Sequence, residues 1–79
     1  MTLGKKLQDL RKKKKLRQYE LAELIGVSQK NICTLEARED IYLSTLKKYI
    51  TSLGGELKIY AEYHEEGIIY DLSKHIKDS

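Results

Sequence analysis

The stretch ELAELIGVSQKNICTLE, residues 20–36, constrains the fold more than any other part of the chain. Leu21, Leu24 and Ile25 are spaced for one face of a short helix. Gly26 then interrupts the pattern, as a residue that ends helices by adopting positive φ. Val27 is apolar, and Ser28 is a good N-cap for a following helix, in which Ile32 and Leu35 share one side. Gln29, Lys30, Asn31 and Thr34 lie on other faces, with Arg38 just beyond. Two helices that cross steeply need a small residue where they touch, a glycine in the turn and apolar anchors behind. Ala22, Gly26 and the set Leu21, Ile25, Val27, Ile32 and Leu35 meet those needs.

The flanking segments supply a frame for this unit. Leu3, Leu7 and Leu10 recur at helical spacing, which predicts a first helix over residues 2–14. It ends in the run RKKKK, residues 11–15. Ser44 is expected to cap a fourth helix, with Leu46, Tyr49, Ile50 and Leu53 as its core stripe and Gly54-Gly55 as its stop. The period then changes. In ELKIYAEY the residues Leu57, Ile59, Ala61 and Tyr63 alternate with polar or exposed positions, the pattern of a strand with one apolar face. HEEG, residues 64–67, reads as a turn, and IIYDL, residues 68–72, as a second strand. Pairing Tyr63 with Ile68 would put Ile68, Tyr70 and Leu72 on the same face as Leu57, Ile59 and Ala61. A lone hairpin is marginally stable in water and its edge invites another strand. The economical partner is the hairpin of a second copy across a two-fold axis. The alternative is a hairpin folded back on its own helices. Residues 73–79 form a polar tail expected to fray.

Charge narrows the function. Residues 1–38 hold ten Lys/Arg against four acids, a net of +6, whereas residues 39–79 hold five Lys against eight acids, a net of −3. The positive half contains the two-helix unit. This asymmetry suits a nucleic-acid face, or an anionic membrane face, or simply a solvated basic helix. The single cysteine excludes an internal disulfide framework, and neither it nor His64 or His75 has metal-ligand spacing. No phosphate-cradling glycine loop, nucleophile elbow or paired-carboxylate cleft is present, so no catalytic residue, metal or cofactor is expected. No apolar run is long enough to cross a membrane, and the simplest location is the cytoplasm. With 41% hydrophobic residues and no proline, 79 residues suit one small helix-rich domain that dimerisation would strengthen.

The unit from Gln18 to Glu36 therefore fits a helix-turn-helix, which lays its second helix in the DNA major groove. RQYELAELIGVSQKNICTLEARED resembles the Xre family of phage-repressor-type helix-turn-helix regulators at Gln18, Glu20, Leu21, Ala22, Gly26, Val27, Ser28, Gln29, Ile32 and Glu36. YLSTLKKYITSLGGELKIYAEY is similar to the segment that follows in compact members serving as antitoxins of toxin–antitoxin pairs. The resemblance implies a mainly α fold: a four-helix DNA-binding domain at 1–54 and a hairpin at 55–72 that pairs across a homodimer. It implies a repressor of its own promoter that binds double-stranded DNA and, as an antitoxin, a toxin. The alternative is a protein-interaction module that neutralises a toxin and binds DNA only non-specifically.

The expected DNA-contacting residues are Arg17, Gln18, Ser28, Gln29, Lys30, Asn31, Thr34 and Arg38. A Gln amide at 18 or 29 can pair bidentately with adenine, Lys30 can read guanine or touch phosphate, and Asn31 can read adenine. Ser28 is a cap and a phosphate donor, and the lysines at 12–15 could add phosphate contacts. Leu57, Ile59, Ala61, Tyr63, Ile68 and Tyr70 are the expected dimerisation residues. Arg17 stands where the family has a capping Thr, so the second helix is expected to lose ~1 kcal/mol of capping. Glu36 matches a family position that pairs with a nearby Arg. Cys33 is expected to be a partly buried small residue.

Overall fold

The computed structural model describes residues 2–73. Its elements are α1 (Leu3–Lys13), α2 (Gln18–Ile25), α3 (Gln29–Glu36), α4 (Leu43–Ser52), β1 (Tyr60–Tyr63) and β2 (Ile68–Asp71). Residues 74–79 of the expected polar tail, with His75, lie outside the described residues. Ser73 is described. Its hydroxyl accepts from the Ile59 N–H at 2.7 Å, which ties the end of β2 to the approach of β1.

Local signals set most of the helix ends. The Thr2 hydroxyl caps α1 by accepting from the Lys5 N–H at 3.1 Å. Arg11, Lys12 and Lys13 fill its last turn and complement the negative end of the helix dipole. The chain then reverses through Lys15, the sole non-glycine residue with positive φ (60°) among those described. The Lys15 N–H donates to the Lys12 carbonyl at 2.9 Å and the Leu16 N–H to that of Arg11 at 3.2 Å, the two bonds of a Schellman closure. Glycine normally occupies that left-handed position. Lys15→Gly is therefore expected to stabilise the domain by about 1 kcal/mol, read as a higher urea midpoint.

Gly26, at φ 87°, closes α2 in the same way, with the Val27 N–H on the Ala22 carbonyl at 2.9 Å. The start of α2 is less bare than its sequence predicts. Arg17 provides no side-chain cap, but the Glu20 carboxylate accepts from the Arg17 N–H at 2.9 Å, half of a capping box. Ser44 does not cap α4. That helix begins earlier, at Leu43, with Tyr42 as N-cap and no side-chain cap bond. Ile41 and Leu46, the two positions of a hydrophobic staple, both pack against the core and set the entry of the chain instead.

The core is Leu7, Leu21, Ala22, Ile32, Tyr49 and Leu53, with Leu16, Ile25, Leu35, Ile41, Leu46 and Ile50 packed around it. The predicted stripe of α4 is thus inward. Leu10, Leu24 and Val27 are not core residues; all three are exposed, Leu24 most of all at 61%. Leu10 and Leu24 lie on the edges of their helices' apolar stripes and Val27 in the turn between α2 and α3, where so small a bundle has no layer left to cover them.

The hairpin is antiparallel with Tyr63 opposite Ile68, Glu62 opposite Ile69, Ala61 opposite Tyr70 and Tyr60 opposite Asp71. That is the register expected from sequence. Its first strand is shorter, beginning at Tyr60 rather than at residue 56. Leu57 and Ile59 precede it, although the Ile59 carbonyl still accepts from the Leu72 N–H at 2.9 Å. The Gly55 N–H closes on the Ile50 carbonyl at 3.0 Å, so the chain is still leaving α4 where a strand was expected to start. No hairpin residue belongs to the core or to the layer against it. Among the described residues, neither strand makes an extensive contact with a helix.

Candidate nucleic-acid interface

The inner side of α3 is held by one carboxylate. Glu36, 6% exposed, receives the Arg11 guanidinium bidentately, Nε to Oε2 at 2.7 Å and Nη2 to Oε1 at 3.0 Å. The Tyr49 hydroxyl donates to Oε2 at 2.6 Å and lies 3.0 Å from the Leu7 carbonyl oxygen. Gln18 Nε2 donates to Oε1 at 3.1 Å. Arg11 also donates through Nη1 to the Leu16 carbonyl at 2.7 Å. One residue from each helix therefore meets at Glu36. Among the described residues no buried side-chain polar atom lacks a partner. Burial pushes the Glu36 carboxyl up, but the hydrogen bonds from Arg11, Tyr49 and Gln18 outweigh it and hold it below the usual carboxylate range. The hydrogen bond to Glu36 raises the Arg11 guanidinium further. Burial, then the bond to Glu36, raises the Tyr49 phenol.

The outer side of α3 is polar and open. Ser28 caps the helix as expected, its hydroxyl accepting from the Asn31 N–H at 3.2 Å. Gln29, Lys30, Asn31 and Thr34 are all exposed, and so are Arg17 ahead of α2 and Arg38 beyond α3. Lys30, Asn31, Thr34 and Arg38 line one open groove together with Leu35. Ile32, Leu35 and Glu36 take the inward side of the helix, which leaves Cys33 outside. Cys33 is exposed, not partly buried as expected.

Gln18 is the exception among the expected contacts. It is half-buried, and one of its amide hydrogens is committed to Glu36. Its second N–H and its carbonyl oxygen remain for a ligand. Sequence reasoning missed Arg11, which looked like one more member of a basic run. It also missed Gly4, whose N–H donates to the Arg38 carbonyl at 2.9 Å where α1 crosses the end of α3.

A polar, cation-bearing helix face clamped from behind by a buried ion pair is a rigid surface for anions and base edges. The family model for the Cro/C1-type helix-turn-helix DNA-binding domain matches residues 6–57. The chain belongs to the Cro/C1-type helix-turn-helix family. It is 41% identical over 54 residues to a protein of Mycobacterium tuberculosis named as antitoxin HigA3. That match takes in 66% of this chain and 50% of the relative, so the chain spans half the length of that curated protein. Two solved structures share its fold. One is a HigA antitoxin described by DNA bending induced through a unique dimerization, with a TM-score of 0.74, 37% identity and coverage of 85% of this chain and 90% of that one. The other is a DNA-bound antitoxin HigA3, with a TM-score of 0.75, 37% identity and coverage of 82% and 85%. Among the described residues no helix is long and apolar enough to cross a membrane.

Proposed function

We propose that the chain is a cytoplasmic, non-enzymatic DNA-binding repressor that acts as a homodimer on a palindromic operator and serves as the antitoxin of a toxin–antitoxin pair. The observation that carries this reading is the outward face of α3, where Gln29, Lys30, Asn31 and Thr34 stand exposed on a helix whose inner side is fixed by Glu36. Phosphate contacts from Arg17, Arg38 and the lysines at 12–15 position the dimer, and the start of α3 reads bases. In a symmetric dimer the two α3 helices would meet half-sites about one turn of DNA, ~34 Å, apart. The DNA-bound relative and its dimerising counterpart support this assembly.

Binding to the DNA upstream of the chain's own gene, against a scrambled duplex across a salt series, tests it. Tight binding to the upstream duplex alone is expected. Equal and steeply salt-dependent binding to both would reduce the surface to a non-specific one. Gln29→Ala should weaken operator binding by about 10- to 100-fold, the worth of one bidentate base contact, and leave the scrambled duplex unaffected. Unchanged operator affinity would remove Gln29 from the interface.

The hairpin supplies the dimer contact in this reading. Ala61, Tyr63, Ile68 and Tyr70 share one face, joined at its edge by Ile59, and the helices of the same chain do not cover it. Leu57, outside the strand, can contribute only at the margin. Ile68→Lys places a charge on that face, opposite Tyr63 at its turn end, and should weaken self-association by about 100-fold, seen by sedimentation. A dimer of undiminished stability would move the contact elsewhere.

A further inference from the structure

We propose that the second face of the hairpin, centred on Tyr60 and Ile69 and flanked by Glu62 and Asp71, docks a basic partner protein, namely the toxin; this rests on the antitoxin reading above.

The hairpin's two faces differ in chemistry. One carries Ala61, Tyr63, Ile68 and Tyr70 and is apolar throughout, as suits a second copy of the same surface. The cross-strand pairs Glu62–Ile69 and Tyr60–Asp71 make up the other. Tyr60 is 57% exposed and Ile69 63%, so two large apolar side chains stand open between acids. A large apolar centre with a charged rim is the usual anatomy of a specific but separable protein contact.

Charge defines what can bind there. Residues 55–72 contain one lysine against five acids, a net of −4, while residues 1–54 contain twelve Lys/Arg against six acids, a net of +6. The single lysine, Lys58, is already paired with Glu56 at 2.9 Å, and His64 Nδ1 lies 3.3 Å from the Glu62 carboxylate. An acidic face repels DNA and attracts a cationic protein. A repressor that also holds a toxin needs three surfaces that do not compete. The basic outer face of α3, the apolar hairpin face and the acidic hairpin face are three such surfaces, matched to an anion, to a copy of itself and to a cation. Of these only the last has no occupant in the DNA-bound dimer.

The test uses the full chain and the purified product of the gene adjacent to its own. The variant Glu62→Lys/Ile69→Thr reverses the charge and removes the apolar centre while keeping a strand-forming residue at 69. It should bind that protein about 100-fold more weakly, with dimer stability and operator affinity unchanged. The wild-type complex should also weaken as salt rises. Undiminished binding by the variant, or a complex indifferent to salt, would overturn the inference while the antitoxin reading stands. So would a loss of binding caused instead by Lys48→Glu, which would place the contact in the groove that Leu24 and Ile25 of α2 form with Lys48 and Thr51 of α4. Loss of the dimer together with the partner would show that the two faces are one interface, and that also overturns it. If the wild-type chain does not bind the adjacent gene product at all, the antitoxin reading falls and takes this inference with it.

Discussion

Glu36→Ala is expected to destabilise the domain by about 3–5 kcal/mol, the cost of stranding a buried charge by deleting its partner. Arg11 is 5% exposed and cannot reach water without opening α1. Small domains hold only about 5–15 kcal/mol in total, so the variant should be largely unfolded at 37 °C. Urea denaturation of wild type and variant measures the loss. The companion Arg11→Met/Glu36→Leu should recover most of it, because replacing a buried ion pair by apolar side chains of similar volume is close to neutral. A single variant of near-wild-type stability would mean that the ion pair is not what fastens α1 to α3.

The same carboxylate sets an acid limit. Its pKa is held below the ordinary value of 4.5, so its contribution is complete above that value and is lost as pH falls through the lower, folded one. The urea midpoint of the wild-type chain should therefore fall below about pH 4.5, and the slope should be shallower in Glu36→Gln.

Gly4→Ala should cost about 3 kcal/mol or more, although alanine is the better helix former. A Cβ there would lie 2.6 Å from the Glu36 carbonyl oxygen and 2.7 Å from that of Arg38. Both are backbone atoms at the end of α3 and cannot rotate away. The start of α1 would have to lift off, losing the Gly4–Arg38 hydrogen bond and loosening the grip of Arg11 on Glu36. Helix propensity alone predicts the opposite sign, a gain of about 0.5–1 kcal/mol. Thermal unfolding thus separates the two accounts by direction. A stabilised variant would show that α1 does not approach α3 this closely.

These two sites also mark where the sequence stops being readable. The helix-turn-helix was legible because its signals are local: Ala22 at the crossing, Gly26 in the turn and Ser28 at the cap all lie within a few residues of what they control. The hairpin register was legible because alternation and a four-residue turn fix it together. The role of Glu36 was legible only through family resemblance, and its partner was not. Arg11 sits 25 positions away inside a run of like charges, where nothing distinguishes the one guanidinium that turns inward from lysines that stay solvated. Gly4 resembles any glycine in a first turn until a carbonyl from α3 is placed against it. Ser44 looked like a cap because capping residues are common at helix starts, yet tertiary anchoring by Ile41 and Leu46 set the start instead. Cys33 followed from a general preference of cysteine for burial, which the inward stripe of Ile32, Leu35 and Glu36 overrode. Lys15 was missed because a lysine in a left-handed conformation has no sequence signature.

The meeting of all four helices on one carboxylate has a consequence for how the molecule opens. A helix in most bundles can peel away while the remainder holds. Here each departure would expose a charge or a polar group of the shared cluster, so the helices form one cooperative unit. Amide protons in α1 to α4 should then exchange with solvent through a single common opening at the global free energy. Those of Tyr60–Tyr63 and Ile68–Asp71, outside the cluster, should exchange earlier in the unpaired chain and slow down when the hairpin is covered.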